Sequence, residues 1–166
     1  MSTERKKSSL GKSFYNKGGK LELKEDKFEI DKNREFYLFD VIPMGAVRMT
    51  KSDRWKTNPN HPDPKKRQRK AVKNYWNFKN KLIEEANKLN FPNEFNYLDA
   101  VYFLPMPDSW SKKKKERMNG MPCNVKPDID NLQKSVYDTF LKQDSVVWWE
   151  KAEKRWAYKG SILIYK

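Results

Sequence analysis

Residues 124–140 read NVKPDIDNLQKSVYDTF. Proline disfavours helix in the residue before it, so a helix can open just beyond Pro127. From there Ile129, Leu132, Val136, Phe140 and Leu141 form an apolar stripe, with Tyr137 beside it. This periodicity predicts an amphipathic helix over about Asp128–Lys142, one face of it in the core. The start of that helix is acidic. Asp128 suits the N-cap, where a carboxylate accepts a backbone amide, and Asp130 complements the positive end of the helix dipole. Lys134 lies four residues after Asp130, the spacing of a surface ion pair worth only tenths of a kcal/mol. Each residue alone has this ordinary explanation. Together they do more: Asp-x-Asp at a helix start lets two carboxylates converge on one hard cation, and Mg²⁺ takes few protein ligands while keeping waters. A third carboxylate, Asp144, follows the helix and precedes Val146 and Val147.

The rest of the chain makes these carboxylates conspicuous. Its 166 residues include 36 Lys and Arg against 22 Asp and Glu, a net charge of +14. The sequence pI is about 9.7 and the mean hydropathy −1.06. Aromatic residues make up 14%, more than a disordered chain carries, so the composition predicts one domain with an aromatic-rich core under a polar surface. The charge favours a polyanionic partner, nucleic acid first. No apolar run reaches membrane-spanning length. The single Cys123 has no internal disulfide partner and fits a reducing cytoplasm. The single His61 excludes clustered His/Cys zinc sites. No apolar stretch of the kind found in a secretory leader follows the charged N-terminus.

Residues 1–26 read as a basic, flexible arm and residues 27–166 as the domain. EFYLFDVIP, residues 35–43, predicts a first strand. MGAVRMTKSDRWKTNPNHPDP, residues 44–64, is a Pro- and Asn-rich loop that exposes Arg48, Lys51, Arg54 and Lys56. A long helix is expected over Lys65–Leu89, with Val72, Trp76, Phe78, Leu82, Ile83, Ala86 and Leu89 as its stripe. Its basic first turns, KKRQRK, oppose the helix dipole. A second strand is expected near residues 96–105, and a basic loop over residues 108–127. Residues 145–166 read as two strands joined near Lys159-Gly160. Trp148 and Trp149 would face opposite sides of the first of these, one of them in the core. The order β, α, β, α, β, β predicts an α/β fold: a small single-domain mixed β-sheet with flanking helices.

KPDIDNLQKSVYDTF resembles the motif of the RusA family of Holliday-junction resolvases, metal-dependent endodeoxyribonucleases often encoded by phages and prophages. FLPMPDSWSKKKKERMNG, VRMTKSDRWK and QDSVVWWEKAEKRWA are similar to the family's flanking segments, so the likeness runs over about residues 36–166. The resemblance implies a RusA-like fold and a metal site made by Asp128, Asp130 and Asp144, holding Mg²⁺ with Mn²⁺ as a substitute. It implies Lys134 as a catalytic lysine, and a homodimer whose two sites nick paired strands of four-way or other branched DNA. It makes Arg48, Lys51, Arg54, Lys56, Lys112, Lys113, Lys114, Lys115 and Lys126 DNA-facing. Asn131 would support the helix start and Asp138 a structural contact. The expected location is the cytoplasm, that of the bacterial host for a phage-encoded protein. Two departures stand out. Gln143-Asp144 replaces a frequent pair of aspartates on a shorter connection, and Val47 replaces a proline before Arg48.

Other readings use the same residues. An RNase H-like site would combine Asp40 with Asp128 and Asp130, but gives Lys134 no task. A restriction-type motif needs an acid, a spacer and a lysine after Pro127-Asp128, and no such triplet follows. A non-catalytic DNA- or RNA-binding protein would use KKRQRK and SKKKKER as phosphate clamps. Such a binder gains nothing from carboxylates that repel phosphate. Trp55 and Trp110 sit in the two basic loops, either packed on them or free to touch DNA.

Overall fold

The computed structural model describes residues 27–166, so the arm read over residues 1–26 lies outside the described residues. Its strands are β1 (Phe36–Phe39), β2 (Tyr97–Pro105), β3 (Trp149–Ala157) and β4 (Ser161–Tyr165). Its helices are α1 (Lys70–Leu89), α2 (Lys112–Met118) and α3 (Ile129–Phe140). The strands form one sheet in the order β1-β4-β2-β3. β2 and β3 are parallel, while β1–β4 and β4–β2 are antiparallel. The architecture is the mixed α/β sheet with helices that the sequence predicts.

Alternation along the strands decides the two faces. Phe39, Leu98, Ala100, Tyr102, Ile162 and Ile164 turn one way and are buried with residues of α1 and α3. Val101, Leu163 and Tyr165 turn the other way, against Phe28 and Phe103. α3 contributes Leu132 and Val136, both fully buried. Truncating such a leucine to alanine costs about 2–5 kcal/mol, so the helix that carries the acidic motif is fixed to the sheet by its own core face.

Several expectations are corrected. α1 begins at Lys70, because Pro64–Lys66 forms a separate 3₁₀ turn in which Asp63 accepts the Lys65 amide at 2.9 Å. Its buried stripe is Val72, Tyr75, Phe78, Leu82 and Ala86, which places Trp76 and Ile83 on the exposed rim. The first strand is shorter than residues 35–43, ending at Phe39. The basic stretch 108–127 holds helix α2, started by Ser111, whose hydroxyl accepts the Lys114 amide. Lysine is a good helix former, and no helix breaker occurs before Asn119-Gly120.

The last two strands are not neighbours. β2 lies between them, in register with β3 from Tyr97↔Trp149 to Pro105↔Ala157, while β4 pairs with its other edge. The chain crosses past the Pro105 end of β2, and Gly160 there packs on Ile42 so closely that a Cβ would lie 2.9 Å from Cγ1. Trp148 precedes β3 and is exposed, Trp149 opens the strand half-exposed, and neither belongs to the core. Trp156 is the buried tryptophan of that strand.

Candidate active site

Asp130, Gln133, Lys134 and Tyr137 recur at three- and four-residue spacing, so α3 presents them as one stripe. They line a groove of about 470 Å³ whose opposite wall is Asp144, Ser145 and residues 147–150. Asp144 reaches it from a 3₁₀ turn, Asp144–Val146, that returns the chain from α3 toward β3. The short connection therefore delivers Asp144 to the same groove as Asp130 and Lys134. Asp128 stands at the helix start, exposed and outside the residues that line the groove.

Asp130 does stand in the first turn of α3, where it complements the helix dipole, but the two specific contacts expected of the acidic residues are not made. Asp128 occupies the N-cap and its carbonyl accepts the Leu132 amide at 3.1 Å, yet its carboxylate makes no capping bond. Lys134 does not pair with Asp130. Its ammonium lies 2.8 Å from Asp138 and 2.6 Å from Asp144. The hydrogen bonds that Lys134 donates to Asp138 and Asp144 raise its pKa, and the bond accepted from Lys134 lowers that of Asp144. Among the described residues, the carboxylates of Asp128 and Asp130 have no hydrogen-bond or ion-pair partner. Asp138 is tied into the fold: it also accepts the Tyr75 hydroxyl at 3.1 Å.

The groove floor is a polar chain running out of the core. The buried Tyr102 hydroxyl donates to Gln133 Oε1, and Gln133 Nε2 donates to Tyr137 Oη and Glu150 Oε2, each at 3.4 Å. The Tyr137 hydroxyl donates to the same Glu150 oxygen. Burial, then the bond to Glu150, pushes the Tyr137 pKa up and keeps it the donor. Glu150 is on β3 opposite Leu98 of β2, hence on the helix-facing side. Two more contacts set the start of α3. Lys154 Nζ donates to the carbonyls of Val125 and Pro127, both at 2.8 Å, and Ala46 donates its amide to the Asn131 carbonyl at 2.9 Å. The Lys126-Pro127 peptide is cis. Gly45 passes so near that a Cβ there would stand 2.9 Å from the Pro127 Cβ, so only glycine fits without displacement.

That approach brings the first basic loop to the helix start. Beyond it, Asp53 is buried and accepts from the Thr50 amide at 2.7 Å and from Arg69 Nη2 at 2.6 Å. Arg69 also reaches the Arg48 carbonyl at 3.0 Å. Arg48, Lys51 and Arg54 are exposed and Lys56 half-buried. None of these four side chains, nor those of Lys112, Lys113 and Lys126, has a hydrogen bond or ion pair among the described residues. In α2, Lys114 instead lies 3.9 Å from the Trp110 ring centroid, and the half-buried Lys115 is 3.8 Å from Asp108. Asp40 pairs with Lys159 at 2.6 Å and does not line the groove.

Carboxylate oxygens are the right donors for Mg²⁺ or Mn²⁺, and two of the expected ligands are uncommitted. The set is not preassembled. Among the described residues no three His, Cys, Asp or Glu side chains stand together as a metal-binding group, and Asp144 is engaged by Lys134.

Residues 43–165 match the family model described as Endodeoxyribonuclease RusA. The chain belongs to the RusA endodeoxyribonuclease family. No curated protein and no solved structure gives a match. The matched segment spans the first basic loop, the groove and every helix of this RusA-family domain. No helix among the described residues is long and apolar enough to cross a membrane.

Sequence reasoning passed over Gln133, Glu150 and Lys154. Gln133 carried a usable signal, a polar residue one position from the buried Leu132 on the inward side of α3. The other two depend on which strand β3 borders, information that no local pattern contains.

Proposed function

We propose that this RusA-family nuclease is a metal-dependent, structure-selective enzyme that resolves four-way or branched DNA by paired phosphodiester hydrolysis. The observation that carries the reading is the groove in which Asp130, Lys134 and Asp144 meet, on a helix whose start is touched by the first basic loop, where Arg48, Lys51, Arg54 and Lys56 have no partner among the described residues. Asp128, Asp130 and Asp144 would hold Mg²⁺, or Mn²⁺ in its place, which when bound activates water and neutralises charge developing on the phosphate. The remaining work belongs to the chain. Lys134 carries a full positive charge at neutral pH, held by Asp138 when it leaves Asp144, and so can steady the non-bridging or leaving oxygen of the phosphate. Arg48, Lys51, Arg54, Lys56, Lys112, Lys113 and Lys126 supply phosphate contacts that carry affinity without reading sequence, while Lys114 and Lys115 are engaged by Trp110 and Asp108. Paired nicks on opposite strands need two such sites, so the working unit is a homodimer acting in the cytoplasm.

The test is nicking of a labelled four-way junction, with linear duplex as control and light scattering for mass. Symmetric cuts dependent on Mg²⁺ or Mn²⁺ by a dimer are expected. Tight junction binding with no cut under either metal would sink the enzyme and leave the non-catalytic binder.

A further inference from the structure

The two tryptophans of the basic loops have different surroundings. Trp110 is packed: its ring centroid is 5.0 Å from that of Trp156, and Lys114 Nζ lies 3.9 Å over it. Trp55 is 82% exposed. It has no aromatic or cation-π partner among the described residues. Leaving an indole in water forgoes the burial that such a large apolar side chain normally obtains, and nothing among the described residues recovers it.

The backbone beneath Trp55 is the opposite of loose. The Trp55 amide donates to the Ser52 carbonyl, closing the 3₁₀ turn Lys51–Arg54. Asp53, at the centre of that turn, is 7% exposed. It accepts from the Thr50 amide and hydroxyl at 2.7 and 2.8 Å. It also accepts from both Arg69 Nε and Arg69 Nη2, at 2.9 and 2.6 Å. The only acid in the turn is thus consumed in bracing it, while Lys51, Arg54 and Lys56, within four residues of Trp55 in the chain, have no partner among the described residues. A braced turn that offers one bare aromatic ring on a basic segment has the two parts that hold a phosphate backbone and stack a base. The exposed Trp148 differs. Its chain neighbours Val146 and Trp149 are exposed too, and the lysine that lines the groove with it, Lys134, is already paired.

We infer that Trp55 stacks on an unpaired base at the branch point of the DNA, with Lys51, Arg54 and Lys56 on the adjoining phosphates. The bases of a linear duplex are stacked on each other and have no face to offer; a branch point opens such faces. Trp55 is then a selectivity residue, adding affinity for branched over linear DNA. The inference rests on the junction-resolving reading above, because it takes branched DNA as the ligand.

The test measures binding without added metal, so that a failure of cleavage and a failure of stacking are separate results. Wild-type protein, Trp55→Ala and Trp55→Phe are titrated with a four-way junction and with linear duplex. Loss of one stacked base is expected to weaken junction binding by about tenfold in Trp55→Ala, with duplex binding and thermal midpoint unchanged. Trp55→Phe should recover most of the loss. With 5-bromodeoxyuridine at the branch point, irradiation should crosslink the peptide that carries Trp55. Equal weakening on both DNAs, unchanged junction binding, or a crosslink to another peptide would each overturn the inference.

Discussion

At the scale of single residues, Asp130 is the informative carboxylate because it has no hydrogen-bond or ion-pair partner among the described residues to lose. Asp130→Asn should leave the thermal midpoint in place, keep or tighten junction binding as a charge facing phosphate disappears, and lower cleavage by about 10²-fold or more. An early unfolding transition would instead assign the residue to the helix. Asp53 is the reverse case, a carboxylate wholly committed to structure. Arg69 first, then the Thr50 amide, hold its carboxyl well below the ordinary 3.8. The unfolded chain therefore takes up the proton first as pH falls. The stabilisation is complete above about pH 4 and is lost as pH drops through the lowered folded value. Asp53→Asn should flatten the acid limb of the thermal midpoint plotted against pH; parallel limbs would show that the brace adds nothing to stability.

At the scale of elements, α2 illustrates how a lysine run is divided by its neighbours. Lys114 is used on Trp110 and Lys115 is half-buried near Asp108, which leaves Lys112 and Lys113 for the proposed phosphate contacts. Neutralising that pair should reduce the slope of log affinity against log salt by about two units, while Lys115→Ala alone should change it little. An unaltered slope in the double variant would make α2 merely a solvated face. α3 was nearly legible from its residues, because Pro127 marks its start and Leu132 and Val136 its inner side. Lys134 was legible as a member of the site but not by its partners: a four-residue spacing toward Asp130 looks the same as one toward Asp138, and only the return of Asp144 decides between them. α2 was missed because a run of like charge resembles a loop, although lysine favours helix. The placing of β3 was beyond any local pattern, since two strands with a short connection look like a hairpin whether or not a third strand separates them.

At the scale of the whole molecule, the sheet is closed by its latest part. β4 is a central strand: it supplies the fully buried Ile162 and Leu163, borders β1 on one side and β2 on the other, and is the sole neighbour of β1 among the described residues. A chain cut after Lys159 should therefore lose cooperative unfolding and DNA cleavage together, although every groove residue is still present; a folded product by circular dichroism and a sharp thermal transition would contradict this. The same topology has a bearing on synthesis. A nascent chain on the ribosome carries Asp130, Lys134 and Asp144 before it carries Ile162, so until β4 emerges it has no completed sheet to press α3 and β3 into a groove. By this order of synthesis the proposed cutting groove would assemble only after translation has passed Tyr165, and a prematurely terminated product would be released amid ribosomal RNA without one.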